Sequence, residues 1–253
     1  NTGSTANEHA IETTGGTNTI NLLTAGSFTT AGTFSNGIYN IGDNNTNSIS
    51  GTITTTGANG YGIVNKGDNN TNTITGSIAT SGATGLGLYN IGDNNTNSIT
   101  GSITSTGASA PGINNYGGGN STTVSGTITT SGEDSDGVWS GHGTGISNTV
   151  SVTGSITTTG TGSSGVEFYG ATNSATISGT INSSGTDSSA LRNQNGNGNS
   201  FQLNEGAIII GDILAYGDSS VTKGKLIFNL GEGTSYAYSV SGNGSGSGAG
   251  QWT

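Results

Sequence analysis

The residues with the clearest chemical potential are few and lie far apart in the chain. The two histidines, His9 and His142, belong to no serine nucleophile elbow, zinc-binding HExxH sequence or other recognisable catalytic motif. His142 lies close in sequence to Asp136 and Ser140, a combination that superficially suggests a serine triad. A solvated histidine in a glycine-rich loop is the plainer interpretation, and we predict that the chain is not an enzyme.

Glu133, Asp134 and Asp136 form the one acidic cluster within a repeat of the sequence. A polysaccharide-degrading enzyme needs such carboxylates in pairs, or a basic residue beside the bond that is cleaved. The sequence shows no basic partner near this cluster, which favours a charged loop tip. A polysaccharide-degrading enzyme is therefore kept as an alternative function.

Asp43, Asp68 and Asp93 occupy the same place in three successive GDNNTN turns. If these turns stack, the three carboxylates lie about 5 Å apart and repel one another. Calcium would relieve the repulsion, because carboxylate and amide oxygens are its preferred ligands. Gly118 replaces the aspartate in the next turn, and an aspartate that caps its own turn is the plainer account. The three residues are weak calcium candidates, and no other cofactor is expected.

Composition excludes several classes of protein. The 253 residues carry a net charge of −10 with only four basic residues, too few to neutralise a run of phosphates, so no nucleic acid partner is expected. With no cysteine there is neither a disulfide framework nor a thiolate metal site. The longest aliphatic run, 207–210, is far shorter than a membrane-spanning helix requires. Because the chain has no methionine, we expect that it is processed and that Asn1 is its mature N-terminus.

A repeat of 25 residues organises the rest of the chain. Two columns of aliphatic residues recur in step, and both absorb one insertion of three residues between Val138 and Val152, which we expect in the loop SGHGTGIS. The first column continues with a partner four residues later in each repeat, and Phe28 extends that partner column upstream. The first column is Ile49, Ile74, Ile99, Val124, Val152 and Ile177, and the second is Ile38, Ile63, Leu88, Ile113, Val138, Val166 and Leu191.

Within each repeat, apolar residues alternate with Ser or Thr, and glycine or Asn-Gly clusters separate the segments. This is the period of short strands with one buried face, and 25 residues suit one coil of three strands. We predict an all-β fold, a right-handed parallel β-helix with about 25 residues per coil. Residues 1–16 are expected to form an N-terminal cap or a disordered start, residues 17–200 the repeats, and residues 201–253 the terminal strands.

The same periodicity predicts which polar columns face inward and outward. Asn40, Asn65, Asn90 and Asn115 should point inward and form a hydrogen-bonded ladder. Thr and Ser beside the inward Ile residues should point outward, an arrangement that raises ice binding as a further alternative. Ala79 and Asn182 interrupt that array, which favours an ordinary solvent-facing β surface. The outward threonines and serines are Thr52, Thr54, Ser102, Thr104, Thr127, Thr129, Ser155 and Thr157.

One outward column contains most of the exposed aromatic residues of the repeats. Tyr39, Val64, Tyr89 and Trp139 occupy equivalent places, with Asn114 between the last two. An aromatic stripe on a polar rod is a candidate contact surface for a sugar or for another rod. These residues are our candidates for partner contact.

The chain resembles the passenger domain of a Gram-negative autotransporter. The residues that carry the resemblance are repeats of the type GSITTTG and GIYNIGDNNT, together with the terminal block KGKLIFNLGEGTSYAYSVSGNGSGSGAGQWT. The resemblance implies export to the bacterial outer membrane or the extracellular space, with a C-terminal barrel, not included in this sequence, as the link to the membrane. It implies an adhesin or a structural, self-associating surface module. Its expected partners are a glycan, a host surface or sister molecules in a homo-oligomer.

Overall fold

The computed structural model describes residues 2–142, 146–194, 196–216, 223–229, 231, 240–242 and 251–252. Within these residues every regular element is a strand, and the strands form three parallel sheets whose partners lie about 25 residues apart. The fold is therefore a parallel β-solenoid of about 8 turns, as the repeat predicts. No helix that could span a membrane is found in this part of the chain.

Each coil contributes one strand to each sheet. Sheet A contains Thr2–Gly3, Ser27–Thr30, Thr52–Thr55, Ser77–Thr80, Ser102–Ser105, Thr127–Thr130, Ser155–Thr158, Thr180–Ser183 and Ile208–Ile210. Sheet B contains Ile11–Thr13, Ile38–Asn40, Ile63–Asn65, Leu88–Asn90, Ile113–Asn115, Val138–Ser140, Ser164–Tyr169, Ser189–Gln194, Asp212–Tyr216 and Val240–Gly242. Sheet C contains Thr19–Leu22, Thr46–Ile49, Thr71–Ile74, Thr96–Ile99, Ser121–Val124, Thr149–Val152, Ser174–Ile177, Ser200–Asn204, Lys223–Asn229 and Gln251–Trp252.

The insertion falls where the sequence predicts it. In sheet B, Ile113 pairs with Val138 in the ordinary register, whereas in sheet C the next pair, Ser121 with Thr149, has gained the extra residues. The added residues therefore lie between Ser140 and Thr149, and 143–145 are outside the described residues. Beyond Leu191 the register becomes irregular, although the predicted terminal strands are present at 208–210, 212–216, 223–229 and 240–242.

The core is a set of stacked aliphatic columns, because one coil is too thin to bury its own apolar side chains. Ile49, Ile74 and Ile99 pair directly above one another in sheet C and are at most 1% exposed. The corresponding columns of sheets A and B are equally buried, and Phe28 pairs with Ile53 as expected. Both predicted columns are confirmed as continuous interior columns.

Corners of the coil bring backbones into close contact. At Gly101, between strands of sheets C and A, an added Cβ would lie 2.0 Å from the carbonyl oxygen of Gly76 in the preceding coil. A side chain does not fit there, which explains the glycine in the I-x-G-x-I element. At the corner between strands of sheets B and C, Asn44, Asn69 and Asn94 adopt positive φ angles of 56 to 58°. Asn tolerates this left-handed conformation better than most residues.

The predicted asparagine ladder is present and fully paired. The Nδ2 atoms of Asn40, Asn65 and Asn90 each donate 2.8 Å hydrogen bonds to Oδ1 of the asparagine in the next coil. The Thr13 hydroxyl donates to Asn40 Oδ1 at one end, and Asn115 Nδ2 donates to Thr122 Oγ1 at the other. A buried amide chain whose two ends are satisfied by hydroxyl groups costs no unpaired polar group.

A second ladder, which the sequence analysis missed, lies beside the first on sheet C. Asn47 donates to Asn72, Asn72 to Asn97, and Asn97 to Thr122 Oγ1. Both ladders therefore end on the same Thr122 hydroxyl oxygen. Further along the same two columns, Phe168 and Phe201 take these places, and their rings stack with centroids 4.6 Å apart.

We predict that Asn65→Ala destabilises the protein by about 2 to 5 kcal/mol, because it leaves the amides of Asn40 and Asn90 each with an unpaired buried atom. Chemical denaturation followed by circular dichroism measures the change. Asn182→Ala is the matched control, since Asn182 lies on the outer side of sheet A and its Oδ1 accepts no hydrogen bond. The control should change stability by at most about 0.5 kcal/mol. Equal effects of the two substitutions would contradict a role for the ladder.

Candidate functional site

The outer side of sheet B and its flanking turns carry a row of aromatic rings that form two contacting groups, His9 with Tyr39 and the series from Tyr61 to Tyr169. We call this row the aromatic face, and its members are His9, Tyr39, Tyr61, Tyr89, Tyr116, Trp139, His142 and Tyr169. Tyr89 contacts Tyr61 at 5.6 Å and Tyr116 at 6.4 Å between ring centroids, both edge to face. Tyr116 stacks on His142 at 4.6 Å, and Tyr169 lies 6.0 Å from both His142 and Trp139.

Side chains from neighbouring columns make this row. Tyr39, Tyr89 and Trp139 come from the outward column that the sequence analysis singled out. Tyr61 precedes its strand of sheet B, and Tyr116 follows its strand. Most of the rings are half-buried, and Tyr116 is 38% exposed. The face therefore presents apolar rings to solvent on a chain that is otherwise rich in Ser, Thr and Asn.

A cleft of about 280 Å³ lies at the N-terminal end of the aromatic face. Tyr39 is held between His9, at 4.6 Å between centroids, and the Lys66 ammonium group, at 5.2 Å from the Tyr39 ring. A cation over an aromatic ring is attracted by the electron-rich face of the ring. Partial burial lowers the pKa of His9, the Glu12 carboxylate opposes that shift, and Lys66 reinforces it.

Val64 forms part of this cleft but is not exposed. It occupies the outward place in its strand, between Tyr39 and Tyr89, yet only 1% of its surface reaches solvent. The larger side chains around it, including Tyr61 and Lys66, line the same cleft. Val64 therefore occupies an outward position but is buried, so the expected exposure of its side chain is wrong, while its role in partner contact stays a prediction.

A second cleft, of about 420 Å³, lies at the other end of the face, and we call it the carboxylate cleft. Its lining includes Asn114, Asp136, Trp139, Glu167 and Arg192. Asn114, Trp139, Glu167 and Arg192 are successive members of one outward column, since each pairs with the next across sheet B. Stacking of the coils therefore brings together residues that are up to 78 positions apart in the sequence.

The charged groups of this cleft form a connected network. Arg192 Nη1 lies 3.5 Å from Glu167 Oε2, and the Ser164 hydroxyl donates to the same oxygen at 3.1 Å. Asp136 Oδ1 accepts a 2.5 Å hydrogen bond from the Ser164 backbone N–H. Asn114 Oδ1 is buried and accepts no hydrogen bond. The cleft therefore has carboxyl groups, a guanidinium, an aromatic ring and, on Asn114, a buried acceptor without a partner among the described residues.

Burial sets the protonation of the two carboxyl groups. Loss of solvent is the largest cause that raises the pKa of Asp136 well above its usual range, and the negative charge of Glu167 adds to it. Burial also raises the pKa of Glu167, but the Arg192 charge, the Ser164 hydroxyl and a hydrogen bond from Trp139 oppose this. Two adjacent carboxyl groups with different surroundings are a common feature of functional sites.

The structure corrects the interpretation of Asp136 as part of a charged loop tip. Asp136 is 7% exposed, while Glu133 and Asp134 of the same cluster remain exposed. The sequence shows no basic partner near Asp136 because Arg192 lies two coils further along the solenoid. Extending the outward column beyond Trp139, across the three-residue insertion, identifies both Glu167 and Arg192. That extension was the missed signal.

The residues that suggested a serine triad are not brought together. Ser140 is fully buried, in the place that asparagines occupy in the preceding coils. His142 is exposed and stacks on Tyr116, so it belongs to the aromatic face. Ser140 Oγ makes no hydrogen bond. The interior position of Ser140 separates its hydroxyl from the outer surface.

The calcium candidates form a column that bonds to the backbone. Asp43 Oδ1 accepts a hydrogen bond from the Asp68 N–H at 2.8 Å, and Asp68 Oδ1 accepts one from the Asp93 N–H at 2.7 Å. Asp93 Oδ1 completes the series by accepting from Gly118 N. Each aspartate thus caps the next coil instead of its own turn. No cluster of three His, Asp or Glu side chains suited to a metal occurs among the described residues. Calcium binding stays a prediction.

Sheet A presents the polar array that raised ice binding. Thr54, Ala79, Thr104 and Thr129 pair across successive coils on its outer side, and Asn182 follows further along. The strands pair in regular register, and the outer side of the sheet mixes Ser, Thr, Ala and Asn as the sequence predicts. The last strand, Ile208–Ile210, replaces these polar groups with two exposed isoleucines.

We predict that Asp136→Asn stabilises the protein at neutral and alkaline pH. The raised pKa means that the folded state binds this proton more readily than the unfolded chain. The stabilisation is fully present below the usual pKa of 3.8 and is lost as the pH rises through the folded value. The amide carries no charge and its Oδ1 can still accept the Ser164 N–H bond, so this loss should disappear. Denaturation between pH 4 and 8 measures it.

Asp187→Asn is the control for this experiment, because Asp187 is an exposed turn residue with a positive φ angle. Its pH profile should match that of the unchanged protein. A lower stability of Asp136→Asn at every pH would contradict the assignment.

Comparison with known proteins gives no match for this chain among protein families, curated proteins or solved structures.

Proposed function

We propose that this protein is an extracellular, non-enzymatic β-solenoid that binds a glycan along its aromatic face. The observation that carries the proposal is the series of ring contacts from Tyr61 through Tyr89, Tyr116 and His142 to Tyr169. Such rings are apolar surfaces with polar edges, suited to stacking against the C–H face of a sugar ring. The resemblance to autotransporter passengers supports a location at the bacterial surface.

The length of the face suits an extended ligand. Coils of a β-solenoid repeat about every 4.8 Å, so rings on four or five coils cover on the order of 20 Å. Many weak contacts along this length give useful affinity without a single deep pocket, because each contact raises the effective concentration of the next. Many copies of the protein side by side on one surface would raise the overall affinity in the same way. A host glycan or a bacterial surface polysaccharide fits these requirements.

Charge supports a sugar over other partners. The net charge is −10, and the four basic residues include Lys66, Arg192 and Lys225. The Lys66 ammonium lies over the Tyr39 ring, and Arg192 pairs with the Glu167 carboxylate. Polyanions such as nucleic acids require many free cations in one groove. Stacking and hydroxyl hydrogen bonds need no such charge.

We predict that Tyr89→Ala and Tyr116→Ala each weaken binding to the recognised glycan by about five- to tenfold, because each removes one stacking surface. A glycan array identifies the ligand, and isothermal titration calorimetry measures its Kd. Tyr89→Phe and Tyr116→Phe keep the ring and should retain most of the affinity. Thr129→Ala, on sheet A, is the control for an outer-face substitution elsewhere. Equal losses for Thr129→Ala and the tyrosine variants would contradict an aromatic binding face.

A second candidate function, glycoside hydrolysis, is favoured by the carboxylate pair. In such a reaction one carboxyl group protonates the glycosidic oxygen, while the other carboxylate activates the attacking water or attacks the sugar itself. Asp136, whose pKa is raised, suits the acid, and Glu167 beside Arg192 suits the base or nucleophile.

The test of this second function is release of reducing ends from a panel of polysaccharides. Hydrolysis requires that the unchanged protein is active and that Glu167→Gln abolishes the activity. No release from any substrate that the protein binds would exclude hydrolysis and leave the binding proposal intact.

A further inference from the structure

The carboxylate cleft has a polar composition that selects among sugars. Asp134, Asp136 and Glu167 line it together with one cation, Arg192, which already pairs with Glu167. The cleft therefore offers hydrogen-bond acceptors to a ligand, and the carboxylates of Asp134 and Glu167 give it negative charge. A uronic acid, a sialic acid or a sulfated sugar would bring a second anion into this partly desolvated space, where like charges repel strongly.

An unsatisfied acceptor adds an independent observation. Asn114 lines this cleft, and its Oδ1 atom is buried and accepts no hydrogen bond. A buried polar atom without a partner is costly, so its retention calls for an explanation such as a bound group. Hydroxyl groups donate to amide and carboxylate oxygens, and a pyranose ring carries several of them.

The aromatic component lies beside these acceptors. Trp139 is half-buried, and its ring stacks on Tyr169 with centroids 6.0 Å apart. An indole held in one orientation loses little entropy when a ring stacks on it. Tyr169 and His142 then continue the aromatic face towards Tyr116.

From these observations we propose that the carboxylate cleft is a subsite for one neutral, hydroxyl-rich pyranose residue, which stacks on Trp139 and donates hydroxyl hydrogen bonds to Asn114 and Asp136. This inference rests on the proposed glycan-binding function. It excludes acidic sugars from the cleft and assigns the selectivity to residues that are distinct from the tyrosines of the aromatic face.

Asn114→Leu tests the subsite without disturbing a hydrogen bond of the fold. The side chains are similar in size, and Oδ1 of Asn114 has no partner in the protein to lose. Stability should therefore be retained or increased, while the Kd for a neutral oligosaccharide rises about five- to tenfold. Asn182→Leu is the matched control, because Asn182 Oδ1 is also without a partner but lies on sheet A.

The ligand probes are hexasaccharides of neutral hexoses, namely cellohexaose, maltohexaose and mannohexaose, with a galacturonate hexamer as the acidic probe. Calorimetry at fixed pH and salt should show binding of a neutral hexamer that Asn114→Leu weakens and Asn182→Leu does not. The galacturonate hexamer should bind at least tenfold more weakly. Asp134→Asn should narrow this difference, because it removes an exposed carboxylate from the lining of the cleft.

The outcomes separate this inference from the proposed function. If neither the neutral nor the acidic hexamers bind, and the glycan array also gives no ligand, the proposed function itself fails. If glycans bind through Tyr89 and Tyr116 but Asn114→Leu has no effect, the subsite is wrong and the aromatic face stands. Tighter binding of the galacturonate hexamer would overturn the selectivity.

Discussion

In-register stacking of successive coils is the constraint on which the rest of this structure depends. A coil of 25 residues has three short strands and no interior of its own, so its backbone and side chains find partners only in the coils above and below. Parallel pairing places equivalent residues in contact, and the members of the aliphatic columns from Ile38 to Leu203 are at most 2% exposed. It also places like polar groups in contact. Asparagine solves this problem in the interior, because its amide donates in one direction and accepts in the other.

The same stacking builds the outer surface. Residues that point outward at one place in the repeat form a column, and a column changes character as the repeat sequence changes. On sheet B the outward column passes from Tyr39 and Val64 through Asn114 to Trp139, Glu167 and Arg192. Sequence drift between repeats thus converts an aromatic surface into a charged cleft without any change in the backbone. A solenoid can vary its surface chemistry coil by coil in this way, because the interior columns alone maintain the fold.

Much of the fold could be predicted from the sequence because the repeat is strict. Identical spacing in two aliphatic columns identifies the strands, the inward Asn40 ladder and the position of the insertion, and all of these are confirmed. The second ladder through Asn47 and Asn72 obeys the same alternation of inward and outward residues. The sequence analysis used this strand only for the aliphatic column of Ile49 and did not consider the inward position two residues earlier. The domain boundaries, calcium binding and location remain predictions.

The site was less predictable, since its properties depend on neighbours and not on position. The alternation of inward and outward residues places Val64 on the outer side correctly, yet it cannot report that the side chain is only 1% exposed. Asp136 was interpreted as a solvated carboxylate because the cation of its cleft, Arg192, is distant in sequence. Burial of a carboxyl group, and the pKa that follows from it, is set by the depth of a cleft between turns of different coils. That depth depends on the sizes of flanking side chains in several repeats at once.

The central claim, that equivalent residues of successive coils lie directly above one another, is tested most directly by distances along sheet A. The chain has no cysteine, so pairs of introduced cysteines can carry spin labels without background. Ser27 and Thr127 are four strands apart in sheet A, and Ser27 and Thr180 are six strands apart. Pulsed electron resonance should give narrow distributions whose centres differ by about 10 Å, two coil spacings. Broad distributions, or equal mean distances for the two pairs, would contradict the stacked solenoid.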